Sequence, residues 1–402
     1  MRRRSHGYAG GPRARLSVLP LTKPAPALAL SLYYFAYFAY VGAYSPYITL
    51  YLKEIGLAAA QIGILYAVPQ VMRIVGPGIW GALSDRSGDP ARILRQVALA
   101  SLVVFAFVYV GSTFAWLLCV LVAMHLFTSA QMPLLEAITI ESVRDAPGRY
   151  GHIRVWGSIG FIVSVMGLGC WLDHTPVDAV LHWTCTALAM TVVAAWLLPR
   201  AAPSVRPPNT LSVARVLARP EVRAFLVAGY LNAFAHAALY TFYSIYLDSL
   251  GYSKSVIGIM WALGIVIEIV VFRAWPQITR RFDLKALFYW TFVVCALRFL
   301  LIAWLADTWW ILVLAQLMHA STFALYHASA VGLVGRYFGA DNQARGQAIY
   351  ISTSYGLGGF CGSIASGLLW DKVGPHWTYT LSALAGALGA LVLRGPGQRE
   401  SA

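Results

Sequence analysis

The sequence predicts an all-α integral membrane protein: twelve transmembrane helices arranged as two pseudo-symmetric six-helix halves. Three observations lead there. Of its 402 residues 59% are hydrophobic and only 11% charged, where a soluble domain carries about 25% charged residues. Apolar runs of the ~20 residues that a spanning helix needs follow one another from Leu28 to Leu393. Finally, short stretches recur at a shift near 195 residues: Tyr51-Leu52, Gly56 and Ile62-Gly63-Ile64 match Tyr246-Leu247, Gly251 and Ile257-Gly258-Ile259. Met124-His125 likewise matches Met318-His319, and Arg73 falls opposite Glu268. Parallel halves of this kind place a site near the bilayer midplane between them.

The net charge of +14 points to orientation rather than to nucleic acid. Of the 30 Lys and Arg, 23 fall in the two tails and every second loop. Three (Lys53, Lys254, Lys372) fall in the opposite loops, and four (Arg73, Arg154, Arg273, Arg298) within or at the ends of spans. That bias predicts both termini in the cytoplasm and an even number of spans. The five cysteines all sit in or beside apolar runs without a CxxC pair, and read as small apolar residues with no metal or disulfide role. No nucleophile triad, metal cluster or phosphate loop is present, which argues against an enzyme, and no signalling domain supports a sensor.

Residues 1–27 form a basic tail, and the apolar run after them is too long and aromatic for a cleaved signal. The first six-helix half is expected over 28–198. Span 1, about Leu28 to Leu52, carries Tyr33, Tyr37, Tyr40, Tyr44, Tyr47 and Tyr51 at steps of four and three. That spacing puts six hydroxyls on one helical stripe, as a cavity lining or as an interfacial belt. Pro46 is expected to kink it. Span 2, about Ala59 to Leu83, holds Arg73 near mid-depth. Span 3 covers about Ile93 to Val110. Span 4, about Ala115 to Ile140, holds His125 and Glu136. Span 5, from Arg149 to about Leu172, holds Arg154 at the depth of Glu136, so an ion pair between these neighbours is expected. Span 6 covers about Val180 to Leu198. Residues 199–221, rich in Pro and Arg, form a linker.

The second half is expected over 222–393, with a short tail at 394–402. Span 7, about Ala224 to Leu247, places Asn232, His236, Tyr240 and Tyr243 on one stripe, mirroring span 1. Span 8, about Ser255 to Ala274, holds Glu268. Span 9, about Ala286 to Leu305, holds Arg298. Span 10, about Trp309 to Val334, holds His319 and His327. The glycine- and serine-rich span 11, about Gln347 to Trp370, suits close packing against a moving neighbour. Span 12 covers about Trp377 to Leu393.

Charges at mid-membrane depth are costly and mark ion or substrate paths. Glu268, Arg298 and His236 lie about thirteen residues into their spans and His319 ten or eleven into its own, so all four reach a common depth at ~1.5 Å per residue. An acid in low dielectric favours its protonated form, a nearby guanidinium restores the charge, and an imidazole relays protons at physiological pH. Glu268, Arg298 and His319 therefore form the candidate proton-coupling group. Tyr37, Tyr40, Tyr44, Arg73, His125, Glu136, Arg154, His236, Tyr240 and His327 are the candidate substrate-binding residues. The bland alternative is a static ion pair between Glu268 and Arg298, with each histidine a hydrogen-bonded core residue.

Span 2 ends in Gly81-Ala82-Leu83-Ser84-Asp85-Arg86-Ser87-Gly88. This turn-forming stretch resembles the G-x-L-x-D-R-x-G signature of the major facilitator superfamily. Asp89 stands where the signature usually continues with a basic residue, and Arg280-Arg281-Phe282-Asp283 reads as a degraded second copy. The resemblance implies that Gly81, Asp85, Arg86 and Gly88 serve alternating access rather than substrate binding. The set Glu136, Arg154, Glu268, Arg298 and His319 is similar to the lactose permease type of proton symporter, in which the first pair binds sugar and the rest handle protons. Thr322 and Phe323 stand where that type carries an acid, which makes Glu268 the leading candidate for the proton carrier here.

Nearer still is the phenylpropionate transporter branch. The likeness runs from Tyr33 onward, through Tyr150-Gly151-His152-Ile153-Arg154-Val155-Trp156-Gly157-Ser158, Ala235-His236-Ala237-Ala238, Ile267-Glu268-Ile269 and Leu317-Met318-His319 with His327. It implies a monomeric secondary transporter in the bacterial cytoplasmic membrane. The proton gradient drives it, and it uses no cofactor, metal or nucleic acid. Its substrate would be a small aromatic carboxylate, bound by Arg73 or Arg298 with the tyrosine stripe against the ring. The residues leave open a sugar or nucleoside symporter and a proton-antiport drug exporter.

Overall fold

The structure, a computed structural model, describes residues 25–146, 148–198 and 213–395. Residues 1–24 and 396–402 of the expected tails and 199–212 of the expected linker lie outside it. Among the described residues, eleven helical segments are long and apolar enough to cross a membrane. Spans 1 to 6 are Ala25–Glu54, Ala59–Ser87, Pro90–Ala106 with a 3₁₀ turn to Val110, Phe114–Ser142, Arg149–Leu172 and Ala179–Leu197. Spans 7 to 9 are Pro220–Ser249, Lys254–Arg281 and Leu284–Leu305. Span 10 is Trp309–Gly339, and the eleventh segment is Asn342–Leu393, 52 residues long. A straight helix of that length would measure roughly 78 Å, more than twice the ~30 Å hydrocarbon core. It turns instead at Gly374, whose φ of 79° and ψ of 176° are not helical. The following Pro375 cannot continue the preceding hydrogen-bond ladder. Residues 342–373 and 375–393 are thus spans 11 and 12, which makes twelve spans among the described residues.

Helix starts follow from local chemistry. Asp89 is the N-cap of span 3, accepting from the Arg92 N–H, with Pro90 at the first helical position, where its missing N–H costs nothing. This accounts for the acid that departs from the basic position of the signature. Ser253 caps span 8 through the Val256 N–H. Asp283 caps span 9 through Lys285 and Ala286 and pairs with Arg336 at 3.2 Å. Partial burial would raise the Asp283 carboxyl, but those N–H groups and the guanidinium hold it below the usual range. Span 1 runs through Pro46 as one helix. The signature is not a loop: span 2 stays helical to Ser87 and ends on Gly88 at φ 65°, because no proline or positive-φ glycine falls between Gly81 and Ser87.

The turns at 55–58, 111–113, 173–178, 250–253 and 306–308 and at Gly374 lie on one face, termed the far face. Residues 25 and 395 lie on the opposite, tail face. Span 1 packs on spans 5 and 6, span 3 on spans 4 and 6, and span 7 on span 11. Between the two sets of six, span 2 meets span 11, span 5 meets span 8 and span 1 meets span 7. Spans 1 and 5 touch backbone to backbone: a Cβ on Gly42 would stand 2.7 Å from the Phe161 carbonyl oxygen. Gly42→Val is expected to lower the melting temperature in detergent, at a cost of about 1–3 kcal/mol for overpacking; an unchanged melt would mean the two helices separate without cost.

The tyrosine stripe is packed rather than displayed to lipid. Tyr33 donates to Gln131 at 2.9 Å. The Tyr47 hydroxyl reaches the Val165 carbonyl at 2.8 Å and the Lys254 carbonyl at 3.1 Å, joining spans 1, 5 and 8. The hydrogen bonds that tie the two sets of spans gather at the far face: Tyr47 to Lys254, Asp173 to span 8 and Asp371 to span 2. At the tail face Asp85 and Arg86 are exposed, and neither makes an ion pair among the described residues.

Candidate functional site

The candidate residues form two layers, one buried in the last six spans and one facing the gap between the two sets. The buried layer centres on Glu268, 8% exposed, whose Oε1 lies 2.9 Å from His319 Nε2. Gly264, one turn before Glu268, admits the imidazole: a Cβ there would stand 3.1 Å from His319 Cδ2. His319 Nδ1 has no hydrogen-bond partner among the described residues, so one ring nitrogen holds the acid and the other is free to take or give a proton.

Arg298 is fully buried, and it does not pair with Glu268 as expected. Its Nε donates to the Ala315 carbonyl at 2.8 Å, Nη1 to Thr322 at 3.0 Å and Nη2 to Gln316 at 3.3 Å. All three acceptors are neutral, and all belong to span 10. His236 completes this cluster. Its Nδ1–H donates to the Asn232 carbonyl at 2.8 Å, which leaves Nε2 as the acceptor facing Thr322 at 3.2 Å and Arg298 Nη1 at 3.5 Å. A common depth had pointed to these four helices, but depth does not fix the direction around each axis.

Span 10 departs from a regular α-helix beside this cluster. From Ala320 to Leu325 it adopts a π turn, a form concentrated at functional sites because it rotates the residues after it. His319, Phe323 and His327 then stack in a column, with ring centroids 5.4 Å and 6.3 Å apart and planes within 11°. His327 Nδ1 meets the Tyr355 hydroxyl at 3.4 Å, and Tyr355 belongs to a second π turn, Ser352–Gly358 of span 11.

The open layer holds Arg73, which is exposed although it lies mid-span. It sits close enough for its charge to act on Tyr37, Tyr66 and His125 of the first six spans and on Tyr240 and Tyr355 of the last six. An exposed side chain flanked by both sets lies in the gap between them. No carboxylate pairs with it among the described residues. Tyr240 stacks on Trp261 at 6.1 Å and 20°, giving that gap an aromatic wall. Behind Arg73, His125 Nε2 bonds the Tyr44 hydroxyl at 3.0 Å, and Tyr40 packs on Tyr44 at 5.7 Å. His125, Tyr40 and Tyr44 are all buried and so pack within the first six spans rather than face the gap.

Glu136 and Arg154 form the ion pair their spacing suggested, Oε1 to Nε at 3.4 Å and roughly one-third exposed. Tyr150 donates to Glu136 at 2.7 Å, and the guanidinium lies 4.7 Å over the Phe38 ring. Gln316, Tyr66, Trp261 and Tyr355 had escaped notice in the sequence, and Thr322 had been noted only for what it replaces. Of these only Thr322 carried a signal, one turn after His319 in place of an expected acid.

Known proteins resemble the chain throughout its length. The family profile described as MFS_1 like matches residues 27–381. The probable 3-phenylpropionic acid transporter of Escherichia coli K12 is 29% identical over 91% of this chain and 96% of its own. The maltose permease of Geobacillus stearothermophilus is 25% identical over 98% and 97%. The crystal structure of the nucleoside transporter NupG superposes with a TM-score of 0.78 at 18% identity, covering 91% of this chain and 98% of that one. The chain therefore belongs to the MFS_1 like family and is a membrane transporter of the major facilitator superfamily.

Proposed function

We propose that the protein is a proton-coupled symporter that carries a small aromatic carboxylate, of the phenylpropionate kind, by alternating access. The observation that carries this reading is Arg73: an exposed guanidinium in the gap between the two sets of spans, without an acid partner among the described residues, beside the aromatic wall of Tyr240 and Trp261. A carboxylate supplies the missing counter-charge, and a ring supplies the stacking partner. Arg298 is unsuited to this, since neutral acceptors already occupy its donors. The buried Glu268–His319 pair is the proton station. The relative named for 3-phenylpropionic acid points to the same substrate class.

The Lys and Arg bias supports a cytoplasmic tail face. The conformation, joined at the far face and with Asp85 and Arg86 unpaired at the tail face, is then inward-facing, with the protein working as a monomer in a bacterial cytoplasmic membrane.

A second reading rests on the partly exposed Glu136–Arg154 pair with Tyr150 and Phe38, which suits the hydroxyls and apolar face of a sugar, in line with the maltose permease relative. Proteoliposomes with an inward-directed proton gradient separate the two. Labelled 3-phenylpropionate is expected to accumulate above its external concentration and maltose is not. Accumulation of maltose alone would transfer the substrate site to Glu136 and Arg154.

A further inference from the structure

The far face is tied by two carboxylates in a pattern that repeats across the chain. Asp173, the first residue past span 5, accepts from the backbone N–H groups of Lys254 at 2.7 Å and Ser255 at 3.2 Å, the first turn of span 8. Asp371 of span 11 accepts from the Ala59 N–H at 3.0 Å, the first residue of span 2. Ala59 and Lys254 stand 195 positions apart and Asp173 and Asp371 stand 198 apart, so the two caps are copies of one contact. In each, a helix of one set caps the N-terminus of a helix of the other.

The copies extend below the caps. One turn down, a Cβ on Gly169 would stand 2.6 Å from the Lys254 carbonyl, and one on Gly367 would stand 2.7 Å from the Ala59 carbonyl. A further turn down, a Cβ on Gly258 would meet the Val165 carbonyl and one on Gly63 the Ser363 carbonyl, both at 2.6 Å. Val165, Gly169 and Asp173 share one helix face, as do Ser363, Gly367 and Asp371, each set spaced by four. Backbones this close bring each carboxylate within reach of its N–H groups.

The first N–H groups of a helix have no acceptor within it, and their end carries partial positive charge. Ala58, ahead of span 2, supplies no side-chain cap, and Ser253, ahead of span 8, serves the Val256 N–H instead. The acceptors come from the opposite set of spans and are lost when the sets part. The Asp173 carboxyl shows the contact: burial would raise it, but the Ser255 hydroxyl, the Lys254 and Ser255 N–H groups and nearby His174 hold it below the usual range. Both carboxylates are solvent-exposed, so water can replace them and the contacts can break in each cycle.

We propose that Asp173 and Asp371 are paired latches: positioning residues that set how much of the transporter rests with its far face closed. They act on the helix ends of spans 8 and 2, not on substrate.

The test is double electron–electron resonance on the full chain in nanodiscs. Spin labels go at Glu54→Cys and Asp307→Cys, exposed far-face positions in opposite sets, with the five native cysteines replaced by serine or alanine. The parent chain is expected to give mainly the short distance. Asp173→Ala and Asp371→Ala should each shift part of the distribution to longer values, and the double variant should shift most of it. Asn at both positions, which keeps an acceptor oxygen and removes the charge, should fall between and serves if the Ala double does not fold. A double variant with the parental distribution overturns the proposal. So does a fall in melting temperature with no new distance population, which is what a merely structural role produces.

Discussion

Glu268→Gln is expected to abolish proton-driven accumulation while leaving exchange of substrate across the membrane intact. Glutamine has the shape of a protonated glutamic acid and keeps an oxygen facing His319 Nε2, 2.9 Å away in the parent, but it never releases a proton. A symporter must shed its proton on the inner side before it returns empty. The variant behaves as a carrier held in its loaded form: it can shuttle with substrate on board and cannot reset without it. With one proton carried per carboxylate the transported charge is zero, so the membrane potential does no work. The pH gradient alone drives uptake, about tenfold accumulation or ~1.4 kcal/mol per pH unit. Proteoliposomes under a one-unit gradient should thus hold an internal-to-external ratio near that limit for the parent and near unity for the variant. Wild-type accumulation by Glu268→Gln would remove the proton from this residue and leave His319 as the next carrier to examine.

Much of this architecture is legible in the chain because membrane helices obey few rules. A span needs a fixed length of apolar residues, and a mid-span charge needs a reason, so Arg73, Glu268, Arg298 and His319 stood out from composition alone. The rise per residue placed Glu268, Arg298, His236 and His319 at a common depth. What depth cannot supply is azimuth. Arg298 turned towards the Ala315 carbonyl, Thr322 and Gln316 rather than towards Glu268. Only Thr322 of these lies in the π turn at Ala320–Leu325, which has no signature in the residues Ala-Ser-Thr-Phe-Ala-Leu. The tyrosine stripe failed in a similar way. Its period was right, but one helix face met several neighbours along its length, so Tyr33 went to Gln131, Tyr44 to His125 and Tyr47 to the junction of spans 1, 5 and 8. By contrast the acid that departs from the signature, Asp89, was interpretable from the dipeptide alone, since Asp followed by Pro is a helix cap with its first residue.

Arg73→Ala should weaken binding of 3-phenylpropionate and, more tellingly, erase the preference for the acid over its neutral amide. A hydrogen bond to a charged group contributes about 1.5–3 kcal/mol, so affinity should fall roughly tenfold to a hundredfold, while the amide loses little. The contrast separates charge recognition from a general collapse of the site, which would weaken both ligands alike. Lysine at the same position should recover part of the acid's affinity, since it restores the cation without the planar fork that grips both carboxylate oxygens. Ligand-induced thermal stabilisation of the purified protein measures all four combinations without any need for transport. Its result is therefore independent of Glu268. Retention of the acid preference in Arg73→Ala would move the carboxylate to Arg154, the other partly exposed guanidinium among the candidates. It would also make the Glu136 pair, rather than the aromatic wall around Tyr240, the place where substrate meets the protein.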